Sequence, residues 1–163
     1  IEICNTTLKL SSMVLWIVIG ASIFITFYSA VGAADFITGL LLATRLGSWG
    51  TLILMMIIIF IMGMFLDPAG IILLIAPIFF PIIIELGFDP IWFAVLFVLN
   101  LQTGYITPPF GYNLFYIRSV APPEISMGDI YESIVPYVVL FIFGIGIIVV
   151  FPQIATWLPS ILI

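Results

Sequence analysis

The chain contains no histidine. That removes the commonest physiological acid–base side chain and the commonest metal ligand. Zinc-dependent intramembrane proteolysis and any Ser-His pair go with it. One cysteine, Cys4, excludes an internal disulfide and a cysteine metal cluster. Three basic residues, Lys9, Arg45 and Arg118, give no nucleic-acid footprint. Charged residues make up only 7% of the 163, against about 25% in an ordinary soluble domain. So few charges cannot cover a water-facing surface, so the chain reads as an integral membrane protein.

What is present is apolar. Hydrophobic residues make up 64% and aromatics 15%, and the mean hydropathy is +1.44. The apolar runs are roughly 17 to 22 residues long and do not alternate with period two, which favours a helix bundle over a barrel. The net charge of −5 comes from a few loop acids. An intramembrane aspartyl protease is also disfavoured: Ser126-Met127-Gly128-Asp129 lacks the first glycine of Gly-x-Gly-Asp and lies in a polar segment. The chain reads as a non-enzyme. It starts IEICNTTLKL, with no signal-peptide layout, and the expectation is that a preceding part of a longer protein is missing.

The first span is expected over about Met13 to Val31, with Thr26, Tyr28 and Ser29 facing protein. ADFITGLLLATRLGSWG follows, an amphipathic surface-lying helix of about 11 residues. Two apolar runs, Gly50 to Asp67 and Gly70 to Leu86, are separated only by DPA. Either both cross, with Asp67 in a tight surface turn, or they form a re-entrant hairpin with its tip at membrane depth. Pro77 and Pro81 leave the carbonyls of Leu73 and Pro77 without helical partners, which is tolerated when the arm packs against protein. ELGFDP marks an interface. Ser126 and Asp129 have capping-box spacing for a short surface helix. A last span runs from about Val135 to Phe151, before PQIATWLPSILI, where Trp157 suits an interface anchor.

The most informative stretch is LQTGYITPPFGYNLF, residues 101 to 115. A continuous helix from Ile91 to Tyr116 would be about 39 Å long at 1.5 Å per residue, more than the roughly 30 Å of a bilayer core. The break starts about 20 Å in, past the midplane. Pro108 has no N–H for the carbonyl of Gly104, and Pro109 has none for that of Tyr105. Gly104 and Gly111 permit unusual backbone angles. The expected result is an unwound strip of carbonyls plus the hydroxyls of Thr103 and Thr107 and the amide of Asn113. These are hard oxygen ligands that suit a monovalent cation such as Na⁺. The first half-helix aims its negative end at the strip and the second its positive end, which suits a cation and an anionic substrate group. The plainer alternatives are a loop outside the membrane or a proline kink that only shapes packing. Asp67 has two readings as well, a functional group inside the membrane or a surface turn. Arg118 reads as interfacial or as part of the site. Asn100 and Gln102 either line a cavity or bond between helices.

GMFLDPAGIILLIAPIFFPI, GFDPIWFAVLFVLNLQTGYITPPFGYNLFYIRSVAP, SMGDIYESIVPYVVL and FPQIATWLP together resemble the C-terminal half of the large membrane subunit of tripartite ATP-independent periplasmic (TRAP) transporters. The resemblance implies an all-α integral membrane protein with a re-entrant helical hairpin and a broken helix, the second inverted repeat of an elevator-type transporter. It divides the chain into a scaffold-side helix and amphipathic connector (1–49), a transport part with hairpin (50–86) and unwound helix (89–120), and a surface helix with a last span (121–163). It implies Na⁺-coupled import of a small organic acid, such as a dicarboxylate, keto acid or sugar acid, across a bacterial or archaeal cytoplasmic membrane. A periplasmic binding protein would deliver the substrate, a small membrane subunit would be the other partner, and Na⁺ would be the coupling ion with no further cofactor. By the match, Na⁺ ligation falls on Gly104, Thr107, Pro108 and Gly111, with Asp67, Thr103 and Asn113 close by. The rival class is a non-transporting membrane scaffold whose kinks only shape packing. By the excess of basic residues on the cytoplasmic side, Lys9 and Arg118 are expected inside and the C-terminus outside.

Overall fold

The computed structural model describes residues 2–43, 45–66, 68–108, 111–122 and 124–162, and within these the side chains of Glu2, Thr6, Leu10, Ser29, Ala34, Asp35, Leu42, Tyr112 and Phe115 are left aside. Asp67, Pro109 and Phe110, and the side chain of Ser29, therefore lie outside the described residues. The described chain is helical from end to end: α1 (Glu2–Ala30), α2 (Ala33–Ala43), α3 (Gly47–Phe65), α4 (Pro68–Glu85), α5 (Pro90–Tyr105), α6 (Tyr112–Val120), α7 (Met127–Val150) and α8 (Gln153–Leu162). Four of these, α1, α3, α4 and α7, are long and apolar enough to cross a membrane.

Local sequence explains the boundaries. Between α2 and α3 both Arg45 and Gly47 adopt positive φ, 54° and 69°, so the chain turns there. Asp89 caps α5 by accepting from the Trp92 N–H at 2.9 Å, and Pro90 sits at the first helical position, where its missing N–H costs nothing. Helix α4 runs through Pro77 and Pro81 without ending.

Three expectations change. The first helix starts at Glu2 rather than near Met13 and includes the polar stretch before the apolar run. Within it Tyr28 is buried, but Thr26 is exposed and donates its hydroxyl to the Ser22 carbonyl at 2.8 Å. The capping box of Ser126 and Asp129 forms, with bonds of 3.2 and 2.7 Å. It opens α7 itself, not a separate short surface helix. The polar residues after Asp129 occupy the first turns of one 24-residue helix.

Helix α5 is the centre of the bundle. Its Phe93, Leu96 and Leu101 are buried against Met55 and Ile59 of α3 and Ile71, Ile82 and Ile83 of α4. Helix α3 packs most extensively on α5, and α7 packs on its other flank. Helix α1 packs on α4 and is otherwise exposed along its apolar length. A smaller cluster of Leu114, Ile130 and Ile134 holds α6 to α7.

Candidate functional site

Three contacts fix how α3 lies on α5. Trp49 meets Trp92 edge to face with ring centroids 6.2 Å apart. The Asn100 amide donates to the Met56 carbonyl at 2.6 Å. Gly63 packs on Gly104, with Cα of one 3.4 Å from the Cβ position of the other. The residue numbers rise together, so α3 and α5 run parallel. The end of α3 at Phe65 and the end of α5 at Tyr105 therefore share one level. The opposite end is marked by the aromatic group Trp49, Phe88 and Trp92 beside Glu85 and Asp89, the residue types of a membrane interface. From that end α5 descends about 24 Å and α3 about 28 Å at 1.5 Å per residue.

Glycine at 104 is required by this crossing. A Cβ there would stand 2.8 Å from the Phe60 carbonyl oxygen and 3.0 Å from backbone atoms of Gly63. Close approach of small residues is the usual way two membrane helices pack tightly. The sequence reading singled out Gly104 and missed its partner Gly63, which sits in an unbroken apolar run. Asn100 answers both of its readings. It ties α5 to α3, and with Thr103 it supplies polar lining to an otherwise apolar cavity of about 390 Å³ between α3, α5 and α7.

Past Tyr105 the chain breaks. Gly104 was expected to present an orphan carbonyl, but this oxygen accepts from the Thr107 N–H at 3.1 Å. A tightened turn thus replaces the helical bond that Pro108 cannot make. Thr103 donates its hydroxyl to the Leu99 carbonyl at 2.8 Å, and Thr107 donates to the Thr103 carbonyl at 2.6 Å. Each hydroxyl hydrogen is committed to backbone, so its oxygen lone pairs are what it offers to anything else. Gly111 adopts φ 42° at the start of α6, and its carbonyl accepts from the Leu114 N–H at 2.7 Å. The Thr107 carbonyl lies 3.2 Å from the Gly111 Cβ position, so the strip curls back on itself. Thr103, Gly104, Thr107 and Gly111 are brought together. Pro108 is exposed and Asn113 half-buried at the strip's edge. Asp67 lies outside the described residues, between the end of α3 and the start of α4.

The electrostatics follow from the helices. The C-terminal end of α5 and the N-terminal end of α6 both adjoin the strip and place partial charges of opposite sign there. Among the described residues there is no group of three His, Cys, Asp or Glu able to hold a metal. A cation at this strip would meet neutral hydroxyl and carbonyl oxygens, a donor set that fits a hard ion. Arg118 is not part of the strip: its Nη1 donates to the Ile125 carbonyl at 2.6 Å and closes the loop after α6. Gln102 is exposed.

The model of the family described as "Tripartite ATP-independent periplasmic transporter, DctM component" matches residues 1–154. The chain belongs to this family. The C4-dicarboxylate TRAP transporter large permease protein of Vibrio cholerae is 37% identical over 155 residues, which is 94% of this chain and 34% of that protein. Its counterpart in Pseudomonas aeruginosa is 32% identical over 152 residues, 93% of this chain and 35% of that protein. The 2,3-diketo-L-gulonate TRAP transporter large permease of Escherichia coli is 36% identical over 99 residues, 61% of this chain and 23% of that protein. The chain spans about a third of the length of the first two relatives. As a member of this family with four described helices long and apolar enough to span, it is a multi-pass protein of the cytoplasmic membrane.

Proposed function

We propose that this chain forms the part of a TRAP large permease that carries an ion- and substrate-binding helix break. The whole transporter would import a small organic acid driven by Na⁺. A periplasmic binding protein would deliver the acid, and a small membrane subunit would complete the complex. The observation that carries this reading is the strip between α5 and α6, with Thr103, Gly104, Thr107 and Gly111 together at the level where α3 ends. Hydroxyl and carbonyl oxygens there suit Na⁺, and the N-terminal end of α6 suits a carboxylate. Relatives named for C4-dicarboxylate, sialic acid and 2,3-diketo-L-gulonate favour a carboxylate as the shared chemical feature of the substrate.

In this reading α3 and α4 form a re-entrant hairpin, and Asp67, between them in the sequence, serves ion or substrate binding. The Gly63–Gly104 crossing and the Asn100–Met56 bond lock α3 to α5, so hairpin and broken helix move as one body during import. The same crossing favours a second reading, in which the breaks only let helices pack. Uptake separates the two. The intact large subunit, small subunit and binding protein are reconstituted in liposomes under an imposed Na⁺ gradient. Accumulation of a radiolabelled organic acid only with Na⁺ outside, and its loss in Asp67→Asn, is expected. Transport by Asp67→Asn equal to wild type, with unchanged Na⁺ dependence, contradicts the role given to Asp67. No accumulation by wild type under any ion gradient supports the packing reading.

A further inference from the structure

The last helix, α8, has no buried residue, yet its side chains are segregated more sharply than those of any other described helix. At 100° per residue, Trp157, Ile161, Ile154, Leu158 and Leu162 fall on one arc of roughly 140°. All five are exposed. A second arc holds Ala155, Pro159 and Thr156, which are partly covered. This is the face that meets protein: Ala155 packs against the main core, and α8 contacts both α5 and α7. The third arc holds Ser160 and Gln153, both polar and exposed. The arcs are centred about 120° apart by the same geometry. One faces protein, one suits hydrocarbon and one suits water.

Ten residues span about 15 Å, half of a core of about 30 Å. The helix follows α7, a membrane span whose own flank is apolar and exposed through Val139, Leu140 and Phe143. The apolar arc of α8 therefore continues the exposed apolar flank of α7. We propose that α8 is an interfacial anchor lying in the plane of the bilayer, with its apolar arc among the upper acyl chains and Gln153 and Ser160 toward water. Its partner is the lipid surface. Between Gln153 and Leu162 there is no charged residue, so apolar burial holds it there rather than attraction to anionic lipid.

Trp92 donates its indole N–H to the Ile148 carbonyl at 2.8 Å, which places the start of α5 beside the end of α7, where α8 follows.

Spin labels test this without reading transport. In a cysteine-free background of the intact large subunit that includes Cys4→Ser, Leu158→Cys and Ser160→Cys are labelled separately in phosphatidylcholine bilayers. Both positions are exposed, so neither label disturbs packing. The label at 158 should collide with oxygen in preference to a water-soluble nickel chelate, and the label at 160 should show the reverse. The logarithm of the accessibility ratio should change sign between them and keep its values when phosphatidylglycerol is added. Nickel access at both positions would place the arc in water and overturn the proposal. Protection of both from both reagents would mean that another protein segment covers α8, and would overturn it equally. A strong dependence on anionic lipid would contradict the apolar basis of the anchor.

Discussion

Replacing Gly104 by alanine drives a methyl group into the backbone of α3. The new carbon would lie 2.8 Å from the Phe60 oxygen and 3.0 Å from Gly63, whereas ordinary contact begins at 3.4 Å. The obstacles are backbone atoms, so no side-chain rotation relieves them. The helices must part by about half an ångström, because a close-packed interface has no slack to absorb the atom. Overpacking of this kind costs typically 1–3 kcal/mol. Parting also stretches the 2.6 Å bond from Asn100 to Met56, a further loss of about 1 kcal/mol. Alanine returns up to about 1 kcal/mol through better helix propensity. The net expectation is a destabilisation of about 1–3 kcal/mol, the size of a single overpacking event. Unfolding of the purified large subunit in nanodiscs, followed by intrinsic fluorescence, reads it. Three other glycines calibrate the result. Gly63→Ala meets its nearest atoms at 3.3 and 3.4 Å and should cost less. Gly144→Ala and Gly146→Ala, in α7, meet nothing within 4 Å and should be neutral or slightly stabilising. Equal stability of Gly104→Ala and wild type, or an equal loss in Gly144→Ala, would refute the close crossing.

Other variants test separate joints. Trp92→Phe removes the indole bond to Ile148 at 2.8 Å and leaves a small gap at a buried site, so it should cost about 1–2 kcal/mol and raise hydrogen exchange at the C-terminal end of α7. Ser126→Ala dismantles the capping box of α7; a loss of about 1 kcal/mol should appear as faster exchange over residues 127–131 with the centre of α7 unchanged. Gly111→Ala forces a side chain to φ 42° and against Leu114, a strain of about 1–3 kcal/mol; trypsin should then cut after Arg118 faster than in wild type.

Much of this fold is legible in the sequence because its punctuation is strong. The apolar runs, the Asp89-Pro90 start of α5 and the glycine and proline of residues 104–111 give nearly the observed boundaries of α3, α4, α5 and α6. Other features depend on pairing that no single segment encodes. Gly63 is one glycine in an apolar run until α5 lies against it. The parallel alignment of α3 with α5 rests on contacts some 40 residues apart in sequence. The capping box at Ser126 was readable, but its helix continues into the last span because Pro136, within its first three turns, does not end it. At the strip the backbone wiring differs from the expectation. Proline was expected to free the Gly104 carbonyl, yet Thr107 is near enough to fill the vacancy from its own backbone.

The central claim is that the strip between α5 and α6 holds the coupling ion, and Thr107 tests it most directly. The measurement is the Na⁺ concentration giving half-maximal uptake, for wild type, Thr107→Ala and Thr107→Ser in the reconstituted transporter. If the Thr107 oxygen is a ligand, alanine should raise that concentration at least tenfold, a loss of about 1.4 kcal/mol, while serine keeps it near wild type. If alanine leaves the Na⁺ dependence unchanged, the hydroxyl serves only its bond to Thr103, and the break is a packing device.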